Sequence, residues 1–159
     1  MKTQNKNGFS IIEIMVYLAI FTALSVLVIN SFIVILSSFN ITNMNRKLLE
    51  SSTVSMERIS REIRQAKTAD TTVAGVLNLT GDTATKIAKE NGSLNLYKNN
   101  VLQGNLLGQN ITITSLIFNR ILTTQSEAVR IVMTLQYSGG HKTKSENFYD
   151  TVILRGGYK

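Results

Sequence analysis

The sequence predicts an α+β chain, a long N-terminal helix followed by an antiparallel β-sheet packed on the second half of that helix. Three observations predict it. Phe9 to Leu36 is an apolar run of 28 residues with one formal charge, Glu13, and no Gly or Pro. From Asn40 to Lys67 the apolar residues continue at helical spacing, again without Gly or Pro. After Ala69 the apolar period changes to two, the period of a strand with one buried face.

The first stretch is long enough to cross a bilayer, because about 20 apolar residues in a helix span the hydrocarbon core. A helix satisfies its own backbone polar groups, as hydrocarbon requires. Glu13 stands four residues inside the run, after Phe9, Ile11 and Ile12. A charge in such a helix costs on the order of 2.5–3.5 kcal/mol on insertion scales, which marks Glu13 as a functional residue in need of a partner. An ordinary secretory signal fits poorly. The run is about twice the usual apolar length for one, and no small-x-small pair closes it.

In the second stretch Ile41, Met44, Leu48, Met56, Ile59, Ile63 and Ala66 form one stripe of an amphipathic helix, interrupted near Ser52. Arg46 with Glu50, Glu57 with Arg61 and Arg58 with Glu62 are i,i+4 pairs set off that stripe. One continuous helix is expected from about Phe9 to about Lys67. Its first half suits lipid or other helices, and its second half suits a sheet.

Ala69 to Gly75, rich in Thr and Ala, reads as the exit from the helix. Four to six antiparallel strands are expected beyond it. Val73–Leu79 and Thr85–Glu90 are candidates, and Asn91-Gly92 is a hairpin signal because a type I′ turn needs positive φ at both positions. Leu94 and Leu96 alternate with polar residues, as do Ile111 and Ile113 on the way to Leu116 and Phe118. The clearest strand is Ala128–Ser138, with Val129, Ile131, Met133, Leu135 and Tyr137 on one face. Gly139-Gly140 breaks it, and Phe148–Arg155 returns. A sheet of this size makes a marginal core alone, so the helical stripe supplies the second layer, with Ile131 and Met133 expected over Ile59 and Ile63.

Composition narrows function. The chain has 159 residues, no Cys, no Pro, one His and a formal net charge of +7. Without Cys there is no disulfide framework, thiolate metal site or thiol nucleophile. His141 sits in a polar loop between glycines and lysines and has no metal-binding partner. No phosphate loop, dinucleotide glycine pattern or nucleophile elbow occurs, so no enzymatic activity, metal or cofactor is expected. The charges are spread, and the polar strand faces carry Thr, Asn and Gln without an aromatic platform, which argues against a nucleic-acid surface. The Asn-x-Ser/Thr triplets at Asn40, Asn78, Asn91 and Asn110 are what a chain rich in Asn and Thr contains by chance.

The segment Gly8-Phe9-Ser10-Ile11-Ile12-Glu13, behind a short leader carrying Lys2 and Lys6 and ahead of the apolar run, resembles the processing site of type IV prepilins and type II secretion pseudopilins. The resemblance is strong from Met1 to about Phe39 and architectural beyond. It implies cleavage between Gly8 and Phe9, N-methylation of Phe9, and a role in filament assembly for Glu13. It also implies a prepilin peptidase and methyltransferase, other pilin or pseudopilin subunits and the inner membrane as partners. The organisation expected is a leader over 1–8, a membrane and filament-core helix over 9–36, an amphipathic continuation over 37–68 and a sheet domain over 69–159. The positive-inside rule puts the leader in the cytoplasm. Major pilins often carry a Pro late in the apolar segment, where this chain reads Val28-Ile29-Asn30-Ser31-Phe32, and a C-terminal Cys pair is missing. Both departures point to a minor pilin or pseudopilin, and the cadence Ser60–Ala66 is similar to the J-type minor pseudopilins. A membrane-anchored extracytoplasmic domain without a filament role and a DNA-uptake pilus component stay open as alternatives.

The Gly8-Phe9 junction generates the first expected outcome. Mass spectrometry of the mature protein should find a chain that begins at methylated Phe9. A dominant N-terminus at Met1, or beyond Ala19, would contradict it.

Overall fold

A computed structural model describes residues 10–139 and 142–155. Its elements are one helix, α1 (Ile11–Gln65), and eight strands: β1 (Thr68–Asp70), β2 (Val76–Thr80), β3 (Thr85–Glu90), β4 (Ser93–Lys98), β5 (Val101–Asn105), β6 (Ile111–Leu122), β7 (Glu127–Gly139) and β8 (Lys142–Ile153). The chain divides between Thr42 and Asn43 into two compact units. The first contains the beginning of α1. The second contains the rest of α1 and all the strands.

The α+β class and the long helix agree with the sequence. The strand count and the single sheet do not. There are two antiparallel sheets, ordered β1-β2-β3-β4-β5 and β6-β7-β8. Two strands lack a clear apolar alternation. β1 lies in the Thr-rich helix exit, where Thr68 pairs with Thr80 and Asp70 with Asn78. β5 follows a second two-residue turn, Asn99-Asn100, with φ of 49° and 65°, flanked by the pair Lys98 and Val101. With β3 and β5 on its two sides, β4 has no free edge for β6, which starts a new sheet. β8 begins at Lys142, six residues ahead of the expected Phe148. Asn91-Gly92 does form the expected turn, with φ of 50° and 77°.

In the second unit one face of α1 is buried with residues of both sheets. Met44, Leu48, Ile59, Ile63 and Ala66 share one core with Leu77, Ile87, Leu94, Leu96, Ile113, Val129, Ile131, Met133 and Leu135. Ile59, Ile63, Ile131 and Met133 are all fully buried, as expected of that layer. The stripe starts later than the sequence suggested, because Ile41 belongs to the first unit and is 46% exposed. Its interruption near Ser52 is filled by serines. Ser51, Ser52 and Ser55 are buried, and small side chains let the helix backbone come close to the segment after β5. The Ser55 hydroxyl donates to the Leu106 carbonyl at 2.8 Å, and the Gly108 N–H donates to Ser51 Oγ at 3.2 Å.

Glu62 departs most from its expected place. Instead of lying off the buried face it is 5% exposed, with its carboxylate 3.1 Å from Arg58 and 3.0 Å from Lys98. A buried charge is tolerated when it is paired, and Lys98 adds a tie from the helix to the β4–β5 hairpin. Glu57–Arg61 forms at 3.4 Å as expected, with both groups exposed.

No Gly or Pro ends α1. The Lys67 N–H donates to the Thr80 carbonyl at 2.8 Å, so the chain leaves the helix by joining a strand. Gly81 suits this close approach, because a Cβ there would sit tightly against the Gln65 carbonyl oxygen at 3.3 Å and Ala66 Cα at 3.4 Å. Glu127 of β7 ties the two sheets together by accepting from β1, while a bidentate pair with Arg120 of β6 holds it within its own sheet. Arg120 Nε and Nη2 donate to Glu127 Oε1 and Oε2 at 2.8 and 2.9 Å, while the Ala69 N–H of β1 donates to Glu127 Oε1 at 2.8 Å. Glu127 keeps the Arg120 guanidinium firmly protonated.

This packing generates two expected outcomes. In denaturant unfolding of the detergent-solubilised chain, Ile63→Ala should cost roughly 2–5 kcal/mol, the range for a fully buried aliphatic, and Ile41→Ala less than about 0.5 kcal/mol. The second concerns Glu90 on the β3–β4 hairpin. It accepts hydrogen bonds from the Tyr97 hydroxyl and, at 3.1 Å, from the Asn95 amide. The Tyr97 bond above all holds the Glu90 carboxyl below its ordinary 4.5 and pushes the Tyr97 phenol up. A carboxyl depressed in the folded state stabilises above its unfolded pKa and loses that contribution as pH falls through the folded value. Tyr97→Phe should therefore lower Tm at pH 7, and the difference should shrink in a melting series taken below the usual carboxylate range.

Candidate functional site at the head of the apolar helix

The described chain enters α1 at Ser10, whose carbonyl accepts the Ile14 N–H at 3.3 Å. Glu13 is thus in the first helical turn, where the positive end of the helix dipole favours a carboxylate. It is half-buried. Among the described residues its hydrogen-bond partner is Tyr17, whose hydroxyl donates to Oε1 at 3.1 Å. The spacing explains the contact. Residues i and i+4 share a helix face, and the side chain of the later residue leans back toward the N-terminus. Sequence reasoning singled out Glu13 and missed Tyr17. The available signal was an aromatic hydroxyl one turn after the one acid of the apolar run.

Gly8 and Phe9, the expected cleavage and methylation positions, lie outside the described residues, as does His141.

From Ile11 to Phe39 the helix offers apolar side chains on every side. Ile11 is 79% exposed, Phe21 68% and Val28 67%, and no residue of the most apolar window, mean hydropathy 2.5, is buried. This is the one helix among the described residues long and apolar enough to cross a membrane. Its hydroxyl residues fold back onto their own helix. Thr22 donates to the Ala19 carbonyl, Ser25 to Phe21, Ser31 to Leu27, and both Ser37 and Ser38 to Val34, all within 3.0 Å. A hydroxyl bonded in this way presents little unmet polarity to hydrocarbon. Glu13 cannot do the same, because a carboxylate has no proton to give a carbonyl.

In the second unit a groove runs between α1 and β8, lined by Leu49, Met56, Phe148 and Tyr149. Of its charged groups, Glu57 pairs with Arg61, and Asp150 accepts the Ser60 hydroxyl at 2.9 Å. Among the described residues no three His, Cys, Asp or Glu come together as metal ligands.

Residues 3–29 match the family described as the prokaryotic N-terminal methylation motif. No curated protein and no solved structure matches the chain. The matched span contains the Gly8-Phe9 junction, Glu13 and most of the exposed apolar helix. By this motif, and by a long apolar helix followed by antiparallel sheets, the chain bears the N-terminal signature of the prepilin-type pilins and pseudopilins.

Proposed function

We propose that the chain is a minor pilin or pseudopilin, a structural subunit that is cleaved after Gly8, N-methylated on Phe9 and assembled into a filament through α1. The observation that carries this reading is Glu13, a carboxylate at the head of a fully exposed apolar helix, within the methylation motif. Before assembly the helix lies in the inner membrane, with the leader on the cytoplasmic side and the sheets on the other. A prepilin peptidase removes residues 1–8, and methylation leaves the Phe9 amine able to carry a positive charge. When the apolar helices of several subunits bundle and exclude water, Glu13 needs a cation, and the Phe9 amine of an adjoining subunit is the one the processing creates. Desolvation offsets much of the attraction between buried opposite charges, so the pair sets axial register more than it adds stability. The J-type minor pseudopilins are the subtype that the close of the helix resembles.

The test is Glu13→Ala. The variant should be cleaved and inserted normally but depleted from sheared filaments, and Glu13→Asp, one methylene shorter, should be partly depleted. Wild-type amounts of Glu13→Ala protein in the filaments, at equal expression, would favour a plain membrane anchor.

A further inference from the structure

We infer that Tyr17 is the positioning residue for Glu13, presenting the carboxylate to the cation of a neighbouring subunit; this rests on the assembly role proposed above. The Tyr17 hydroxyl lies 3.1 Å from Glu13 Oε1, within one helix. Tyr17 is 56% exposed and is surrounded in sequence by Val16, Leu18 and Ile20, which are similarly exposed and wholly apolar. Hydrocarbon around such a helix offers no donor, so a hydroxyl from its own chain counts for more than it would in water. A carboxylate has two oxygens and about four lone-pair directions. Tyr17 occupies one direction at Oε1, and among the described residues Oε2 has no partner, leaving its accepting capacity for a second charge-assisted bond.

Geometry is the main consequence. A glutamate has three side-chain torsions, and without a fixed contact the carboxylate samples several positions around the helix. The bond to Tyr17 selects the rotamers that lie along the helix face toward residue 17. The acceptor is then preset in direction before a neighbouring helix arrives, which lowers the ordering cost of docking. The aromatic ring is rigid and has only two torsions of its own, so it is a better strut than a flexible polar chain. The other hydroxyl residues of the helix cannot substitute. Those at 22, 25, 31, 37 and 38 donate to backbone carbonyls of their own turns and lie more than two turns beyond Glu13.

The experiment compares Tyr17→Phe, Tyr17→Leu and Glu13→Ala in the full chain. It measures cleavage by mass spectrometry and the share of each protein in sheared filaments. Tyr17→Phe keeps the ring and removes only the hydroxyl. It should be cleaved at the wild-type rate, with its filament share lowered about tenfold, the scale of one hydrogen bond to a charged group. Placed in a Glu13→Asp background, where the carboxylate is drawn back from residue 17, the same change should have little further effect. If Glu13→Ala is depleted but Tyr17→Phe enters filaments like wild type, the positioning role is overturned and the role of Glu13 stands. Depletion of Tyr17→Leu alone would assign Tyr17 to ring packing and overturn the inference. Normal filament entry of Glu13→Ala would overturn the assembly reading and this inference with it.

Discussion

The second unit depends on the burial of one helical face against two sheets. Leu48, Ile59 and Ile63 are fully enclosed, together with Leu77 and Ile87 from the first sheet and Ile131 and Met133 from the second. Neither sheet has enough apolar surface to form a core alone. A five-stranded sheet of short strands and a three-stranded one would each leave a wet backbone and a half-covered face. The helix is the layer they share. The serines at 51, 52 and 55 serve the same end. Larger side chains there would hold the backbone away, and the hydroxyls of Ser51 and Ser55 satisfy polar groups of the segment between β5 and β6.

The first unit has the opposite character. Among the described residues its apolar side chains are exposed, and magnitudes decide which surroundings it prefers. Burying one Leu, Ile or Phe contributes on the order of 1.5–3 kcal/mol, and more than a dozen are exposed between Ile11 and Phe39. A charge at the centre of such a helix costs on the order of 2.5–3.5 kcal/mol, an upper bound for Glu13 in the first turn. The run outweighs its one charge several times over, so water is the one solvent this helix does not suit. Membrane and helix bundle both suit it.

Two glutamates on α1 show how differently one helix can treat an acid. Glu62 is buried and has two cations from its own chain, Arg58 and Lys98, which complete it as a structural tie. Glu13 has a single neutral donor among the described residues, Tyr17. A structural acid is completed by its own fold. An acid given only a hydrogen-bonding strut, at the head of an exposed apolar helix, is suited to a cation that comes from outside.

The class, the helix, the turn at Asn91-Gly92 and the place of Glu13 at the head of the apolar helix were all legible in the residues, because each rests on local chemistry. Apolar period, φ preference and a charge set in an apolar run can be read without knowing what lies across the fold. The division into two sheets emerges only in the folded chain, since nothing local shows that β5 closes the edge of β4. The end of α1 near Lys67 was readable from the change of apolar period, and the fold adds its physical stop, a hydrogen bond from the Lys67 N–H to Thr80 and a close approach at Gly81. The same holds for Glu62, which has a solvated i,i+4 partner in the sequence and gains Lys98 only when β4 folds back beside the helix. Tyr17 lies between the two cases. Its spacing from Glu13 was readable, but an aromatic at helical spacing in an apolar run is ordinarily a packing residue, and only the direction of its hydroxyl distinguishes it.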